Sequence, residues 1–244
     1  MPRDLRVFAE YVGIPELPIL VTRFLLETLC ETSGGDDVWD TFNDDRWEDT
    51  LHEYEITVSG VWLFHSMTLQ YNSTKDIEGN RGGKHKEIIR ANPYYRGHGR
   101  FDCALIETNP EEPGMSGLDM VQVMLLFSVR VGARKIPMAL VQWFRKVSGS
   151  PDKDTGMWIV EREYDEDGFL HCSVVHLNSI FRSVHLVPVF GPDPVSTNIN
   201  RHATLRVFTR FFVNTYSDYH IHETLYDLER GKHSNRDPRN HTYL

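Results

Sequence analysis

The sequence predicts an α+β fold, in which an antiparallel, barrel-like β-sheet is flanked by N-terminal and C-terminal helices. The main observation is the stretch from Leu118 to Phe190, which is rich in Val, Ile, Phe and Trp and has almost no helical periodicity. Turn residues divide it at intervals, for example at Gly132-Ala133-Arg134 and at Asp165–Gly168. Short strands in such a meander usually close into a barrel or sandwich. Apolar residues at helical spacing near both ends of the chain predict the flanking helices.

The predicted sheet occupies residues 56–190 and extends upstream of the meander. Ile56–Tyr71 predicts a long strand, bent at Ser59-Gly60, and Arg100–Thr108 predicts another. The strands predicted for the meander are Leu118–Val131, Ile136–Lys146, Thr155–Tyr164, Leu170–Leu177 and Val184–Phe190. The sheet can pack with both ends of the chain as one domain, since 244 residues fit one large domain or a domain with a helical appendage.

Residues 1–31 predict a pair of helices. Apolar residues recur at helical spacing from Asp4 to Tyr11 and from Leu17 to Leu29, and Gly13-Ile14-Pro15 separates the two runs. Two helices with a tight turn are also compatible with a helix-turn-helix motif. The second helix has a poor phosphate-reading face outside its apolar stripe, which favours simple packing over DNA reading.

Two further segments complete the chain. Residues 32–55 predict an acidic linker, with interleaved aromatic residues that either pin it to the body of the protein or dock on a basic partner. Residues 191–244 predict a helical segment and a polar tail. We expect one helix over Arg201–Phe212 and a second over Tyr219–Glu229, capped by Asp218.

The composition is that of a globular protein, and it indicates the cellular compartment in which the protein acts. The chain is 40% hydrophobic and 25% charged, with a net charge of −9. An acidic balance disfavours tight, non-specific binding of DNA by the whole surface. No apolar run approaches the roughly 18 residues of a membrane span, and the N-terminus lacks the apolar region of a signal peptide. Three widely separated cysteines indicate a reducing compartment, so we expect the nucleus or the cytoplasm.

The segment Asn80–Arg100 is the strongest candidate binding site. It carries six cations against the single acidic residue Glu87, and Gly82-Gly83 predicts a loop. Cations with aromatic rings suit phosphates and stacked bases, so a DNA or protein partner is expected here. The alternative is a surface loop whose charges balance the acidic linker. The candidate nucleic-acid-binding residues are Arg81, Lys84, Lys86, Arg90, Tyr94, Tyr95, Arg96 and Arg100.

The densest group of metal-ligand residues is Asp218, His220, His222 and Glu223, of which His220, His222 and Glu223 are the candidate ligands. On a strand, a His-x-His pair points one way and can grip a metal ion, whereas on a helix the two-residue step turns the side chains about 200° apart. A third ligand would have to be distant, such as His176 or His185. No serine elbow or phosphate loop accompanies them, so no catalytic residue and no cofactor is predicted.

Trp143 and Trp158 fall on neighbouring predicted strands. They would line either a cage for a methylated lysine or a peptide groove, or they would belong to the core, which is the preferred interpretation.

Several short motifs, in order along residues 3–225, resemble a family of basidiomycete fungal proteins encoded by, or derived from, DNA transposable elements of the Plavaka and Kyakuja-Dileera-Zisupton groups. The most specific lie in the predicted sheet and near the C-terminus. They are Asp154-Thr155-Gly156-Met157-Trp158-Ile159-Val160-Glu161, Ser173-Val174-Val175-His176-Leu177-Asn178-Ser179-Ile180, and Phe212-Val213-Asn214-Thr215-Tyr216 with His220-Ile221-His222-Glu223.

The resemblance implies an accessory domain from beyond the nuclease core of a transposase-like protein. The chain has neither the nuclease carboxylate arrangement nor the zinc-binding cysteines expected elsewhere in such proteins. The strand pattern from Val123 to Phe190 is also similar to a bromo-adjacent-homology domain, a β-barrel that binds partners in chromatin.

The sequence therefore favours a non-enzymatic interaction module of a transposable-element-derived protein, binding protein or nucleoprotein. The alternatives are a metal-dependent enzyme that uses the His-x-His-Glu cluster and a nonfunctional relic of the element.

Overall fold

A computed structural model describes residues 4–33, 58–72, 84–192, 194–195, 198–200, 202–226 and 242–243. These residues form two compact units. The first contains the described residues up to Leu63, with Phe127–Ala139 and Ser173–His176. The second contains Phe64–Leu126, Leu140–Cys172 and the described residues from Leu177 onward. The predicted acidic linker lies outside the described residues, except where its first two positions end a helix.

Two N-terminal helices form where the sequence predicts them: α1 spans Leu5–Val12 and α2 spans Leu17–Ser33. The Asp4 carboxylate accepts hydrogen bonds from two backbone N–H groups of the first turn and so caps α1. Gly13 ends the helix with a φ of 73°, a left-handed conformation that glycine adopts without a steric cost. In the first unit the buried ring of Phe8 lies 6.0 Å from that of Phe127, between ring centroids.

Most of the strands form an antiparallel, nearly closed, barrel-like sheet, which confirms the predicted fold class. In chain order the described strands are β1 Val58–Phe64, β2 Ser66–Asn72, β3 Lys84–Asn92, β4 Arg100–Phe101, β5 Cys103–Glu107, β6 Leu118–Val131, β7 Arg134–Lys146, β8 Ile159–Arg162, β9 Cys172–His176, β10 Ile180–Val184, β11 Leu186–Pro188, β12 Arg210–Val213 and β13 Thr242–Tyr243. The larger sheet has the order β10-β5-β6-β7-β8-β12-β11, and β1 also pairs with β6 and β9 with β7.

A smaller sheet carries the candidate binding residues. Its order is β13-β2-β3-β4. Strands β2 and β3 pair in an antiparallel register that places Ser66 opposite Arg90 and Gln70 opposite Lys86. Because side chains alternate between the two faces of a strand, the register fixes which of these residues share a face.

The core of the second unit is built from alternating apolar residues of the larger sheet. The buried rings of Phe144 on β7 and Phe211 on β12 meet edge to face, with centroids 6.0 Å apart and planes at 88°. Val160 on β8 is opposite Phe211 in the strand register and is also fully buried. The strands around them are thereby held by side-chain packing as well as by backbone hydrogen bonds.

The predicted helix over Arg201–Phe212 is wrong. Helix α3 spans only Thr204–Val207, and Arg210–Val213 is strand β12. An apolar stripe at helical spacing coincides here with the alternation of buried and half-buried residues that a strand needs. The segment is a strand and not a helix because β12 pairs with both β8 and β11. Helix α4, Tyr219–Tyr226, does begin after Asp218, whose carboxylate accepts a hydrogen bond from the Ile221 N–H at 2.8 Å, as predicted for a cap.

The predicted strand over Ile56–Tyr71 is divided into β1 and β2, but at His65 and not at Ser59-Gly60. Gly60 lies within β1, where its α-carbon faces the ring of Trp62. A Cβ at position 60 would lie 2.8 Å from that ring, so the glycine serves close packing and not a bend.

Candidate nucleic-acid interface

The prediction of a loop over Asn80–Arg100 is wrong for Lys84–Asn92, which are a strand, and Asn80–Gly83 lie outside the described residues. Lys84–Asn92 form β3, which pairs with β2 along its length. Lys86 and Ile88 are exposed and Arg90 is half-buried, and these three share one face of the strand. The opposite residues of β2 on that face are Gln70, Thr68 and Ser66, which carry no charge. The ribbon therefore presents a basic face.

Glu87, the one acidic residue of the basic segment, points to the other side of β3. Its Oε1 accepts a hydrogen bond of 2.5 Å from Nη2 of Arg182, whose side chain is only 3% exposed. Its Oε2 accepts from both the backbone N–H and the hydroxyl of Ser183, at 3.0 Å each. The carboxylate is thus occupied within the second unit, and it does not neutralise the cations on the outer face.

Three guanidinium groups surround the ring of Tyr95 at the end of β3. The Cζ atoms of Arg90, Arg96 and Arg100 lie 5.5, 5.4 and 5.3 Å from its centroid. Each distance is within the range of a cation–π interaction, which contributes about 0.5–1 kcal/mol at an exposed site. The ring therefore gathers cations that would otherwise repel one another.

The backbone around Tyr95 is unusual. Arg96 has φ 49° and ψ 36°, a left-handed conformation that costs a non-glycine residue roughly 1–2 kcal/mol. Gly97 follows with φ 78°, and Asn92 fixes the start of the turn by accepting a hydrogen bond from the Tyr94 N–H at 2.9 Å. Strain of this kind is concentrated at functional sites, and here it places the Arg96 side chain beside the tyrosine.

Asp102 orders this cluster from one side. Its carboxylate accepts a 2.7 Å hydrogen bond from Nε of Arg100 and a 3.0 Å hydrogen bond from the backbone N–H of Arg90. The hydrogen bond to Asp102 raises the pKa of Arg100, an effect that partial burial of the guanidinium opposes. Asp102 offsets one of the charges, so the cluster keeps a net positive charge.

Tyr94 completes the site, because it is 79% exposed and directly precedes Tyr95 in the chain. An exposed ring of this kind offers a face on which a base can stack. We call Lys86, Arg90, Tyr94, Tyr95, Arg96 and Arg100 the arginine–tyrosine surface.

Six of the eight predicted nucleic-acid-binding residues thus belong to one surface. Arg81 lies outside the described residues. Lys84 begins β3, but its side chain is outside the described part of the structure.

The predicted metal ligands do not converge as a His-x-His pair. His220 and His222 lie on helix α4, where a two-residue step separates side chains by about 200°. The ring of His220 lies 4.5 Å from that of His85, and the ring of His222 lies 4.8 Å from that of Tyr226, between centroids. The Glu223 side chain is outside the described part of the structure. Among the side chains that are described, no three His, Cys, Asp or Glu residues form a metal-binding group.

Trp143 and Trp158 do not line one aromatic cage. Trp158 is 8% exposed and belongs to the core of the second unit. Trp143 lines an open pocket of about 360 Å³ and stacks on His171, whose Nδ1 is 3.3 Å from a carboxylate oxygen of Glu163. One half-buried indole beside a paired histidine lacks the several aromatic walls by which such cages hold methylated lysine.

Two features of the interface are absent from the sequence-based predictions. Asp102 is two residues from Arg100 in an extended segment, which places both side chains on one side, so their pairing was predictable. The other feature is a stack of His98 on His202, with centroids 4.1 Å apart. It joins residues distant in the chain, and the sequence contains no signal for it.

No protein-family model, no curated protein and no solved structure matches this chain at a significant level. Among the described helices, none is both long and apolar enough to cross a membrane.

Proposed function

We propose that this chain is a non-enzymatic interaction module that binds the phosphate backbone of a nucleic acid, alone or within a nucleoprotein, through the arginine–tyrosine surface. The observation that supports it best is the convergence of three guanidinium groups on the ring of Tyr95. Arginine presents a planar fork of donors that matches the oxygens of a phosphate group.

Local charge favours this partner even though the whole chain is acidic. The arginine–tyrosine surface contains four cations, and the Asp102 carboxylate pairs with only one of them. Glu87 is held at Arg182 and Ser183. Contacts to phosphates are short-ranged in physiological salt, where charges more than about 8 Å apart are largely screened, so the local charge outweighs the net charge of −9.

The tyrosines favour an unpaired strand over a duplex. The Tyr95 ring is covered by arginines, whereas Tyr94 is open to solvent. Stacking of a base on an aromatic ring contributes about 1–3 kcal/mol and does not depend on which base is stacked. Bases that are not paired can reach such a ring, and those within a duplex cannot.

Binding of labelled single-stranded DNA across a salt series tests the proposal. Each phosphate contact contributes a slope of about −0.7 to the plot of log binding constant against log salt. In the variant Arg90→Gln/Arg96→Gln/Arg100→Gln we expect the magnitude of the slope to fall by about 2, because each lost phosphate contact reduces that magnitude by somewhat less than 1.

A matched control removes the same number of charges elsewhere. Arg6, Lys153 and Arg206 are exposed, and no described ion pair of the structure includes them within 4.0 Å. The variant Arg6→Gln/Lys153→Gln/Arg206→Gln should keep the wild-type slope. Equal slopes in both triple variants would contradict the assignment of the site.

The origin of the chain is a separate part of the proposal. The motif resemblance supports an accessory domain of a transposable-element-derived protein that acts in the nucleus or cytoplasm, with a strand pattern similar to bromo-adjacent-homology domains. Chromatin fractionation of cells expressing the tagged chain tests this. We expect the wild-type chain in the nucleosome fraction and the variant Arg90→Gln/Arg96→Gln/Arg100→Gln to be lost from it. Recovery of the wild-type chain only in the soluble fraction would argue against this part of the proposal.

A further inference from the structure

The turn between β6 and β7 carries a second group of cations. Arg130, Arg134 and Lys135 are all exposed. Residues 127–139 contain these three cations and no acidic residue. Gly132 occupies the first position of the two-residue turn with φ 58°, which a tight hairpin requires and which glycine supplies readily. The strands therefore bring the three cations to the same end of the hairpin.

Trp62 on the neighbouring strand β1 orders two of these cations. The Cζ atom of Arg130 lies 5.1 Å from its ring centroid, and Nζ of Lys135 lies 4.7 Å from it. The hydroxyl of Ser59 donates a 3.3 Å hydrogen bond to the carbonyl oxygen of Arg130, which joins β1 to the same position. The charged groups of Arg130 and Lys135 therefore lie close together in the unbound protein.

The indole packs directly against Gly60. The ring lies so close to the α-carbon of Gly60 that a Cβ there would approach it to 2.8 Å. A ring packed against the backbone on one side limits the freedom of the side chains that contact it. Since ordering a long, rotamer-rich side chain costs about 0.5–1.5 kcal/mol on binding, cations ordered in advance bind an anion at a smaller cost.

We propose that Arg130, Arg134 and Lys135, with Trp62, form a second phosphate-binding surface on the first unit, which we call the basic hairpin. This inference rests on the proposed function and gives the first unit a phosphate contact of its own. The indole is already engaged by cations, so the surface presents charge without an open stacking ring. Such a surface suits binding of the sugar–phosphate backbone, and contacts of that kind do not depend on the base sequence.

The test uses the full chain and the salt series on single-stranded DNA. In the variant Arg130→Gln/Arg134→Gln/Lys135→Gln, we expect the slope of log binding constant against log salt to flatten by about 2. The control Arg6→Gln/Lys153→Gln/Arg206→Gln carries the same change of charge and should not alter it. Thermal unfolding of each variant checks that the fold is retained.

A second variant tests the role of the indole. In Trp62→Leu the three cations remain but their order is lost, so the slope should stay at the wild-type value while the affinity falls about three- to tenfold, the size of the ordering cost of one long side chain. A wild-type affinity in Trp62→Leu would overturn the role given to the ring. Gly60→Ala should reproduce the same loss, because its Cβ displaces the indole.

The outcomes separate the two surfaces. A flattened slope in the hairpin variant alone supports the basic hairpin and overturns the arginine–tyrosine surface. A wild-type slope in the hairpin variant, with flattening in the Arg90→Gln/Arg96→Gln/Arg100→Gln variant, overturns the hairpin and leaves the proposed function standing. Loss of polyglutamate binding by the hairpin variant, with unchanged DNA binding, would assign an acidic protein segment and overturn the phosphate assignment. No salt-dependent DNA binding by the wild type would overturn both.

Discussion

Glu87→Gln should destabilise the protein far more than an ordinary substitution of a partly exposed glutamate. The Glu87 carboxylate accepts hydrogen bonds from Nη2 of Arg182 and from the N–H and hydroxyl of Ser183. The Arg182 side chain is 3% exposed, so its charge stays away from water when the carboxylate is lost. Asp218 remains 3.3 Å away, but it is 45% exposed and compensates only in part.

The structure sets the size of this effect. Removing one partner of a buried ion pair costs about 3–5 kcal/mol, and a hydrogen bond to a charged group contributes about 1.5–3 kcal/mol. Glutamine at position 87 keeps one carbonyl oxygen as an acceptor but loses the charge, so we expect Glu87→Gln to lower the free energy of unfolding by about 2–3 kcal/mol. Alanine keeps no acceptor, and we expect about 3–5 kcal/mol for Glu87→Ala.

Chemical denaturation of the full chain, followed by circular dichroism, measures this change. The matched control is Glu27→Gln, which removes a helix-surface pair with Arg23 in which both side chains are nearly half exposed. It should cost about 0.3–0.5 kcal/mol. A cost for Glu87→Gln no larger than that of the control would refute the reasoning. The double variant Glu87→Leu/Arg182→Met leaves no unpaired charge from the pair but still removes the acceptor of the Ser183 N–H, so we expect it to be less destabilised than Glu87→Ala without returning to the wild-type stability.

Three further outcomes follow from the site and the core. Tyr94→Ala should weaken single-stranded DNA binding by about 5- to 150-fold, the equivalent of 1–3 kcal/mol, without changing the salt slope measured in the same titration. A hydrogen bond from Arg210 lowers the pKa of Glu161, so the Glu161 carboxylate stabilises the fold above the usual glutamate pKa and loses this effect as the pH falls through its lowered pKa. In Glu161→Gln, a plot of the free energy of unfolding against pH should therefore be flatter in that acidic range. Burial raises the pKa of the Cys103 thiol to about 12, so alkylation of the native protein, read by peptide mass spectrometry, should modify half-buried Cys172 and leave Cys103 unmodified.

The long strands of the larger sheet were predictable because they carry strong local signals. Strand β6 has the predicted bounds Leu118–Val131, since a long apolar run ends at a glycine turn. Strand β12 was not predictable, because Phe208, Phe211 and Phe212 satisfy a helical stripe as well as a strand alternation. Only the pairing partners β8 and β11, distant in the chain, decide that ambiguity.

The candidate site was predictable in its residue types and not in its geometry. Clustered arginines and tyrosines indicate contact with phosphates and bases, and this pattern alone identifies Arg90, Tyr95 and Arg96 as candidates. That Glu87 turns inward depends on which face of β3 packs against Arg182, 95 residues away in the chain. Local sequence contains no information on that contact. The basic hairpin was not predictable for the same reason, because Trp62 and Lys135 meet only after β1 pairs with β6.

The most direct test of the central claim is the salt dependence of DNA binding by the wild-type protein. Fluorescence anisotropy of a labelled single strand between about 50 and 200 mM salt gives the slope of log binding constant against log salt. One phosphate contact from each of Arg90, Arg96 and Arg100 predicts a slope near −2, and the slope is steeper if Lys86 or the basic hairpin also binds. A slope of zero, or no binding at the lowest salt concentration, would contradict the account.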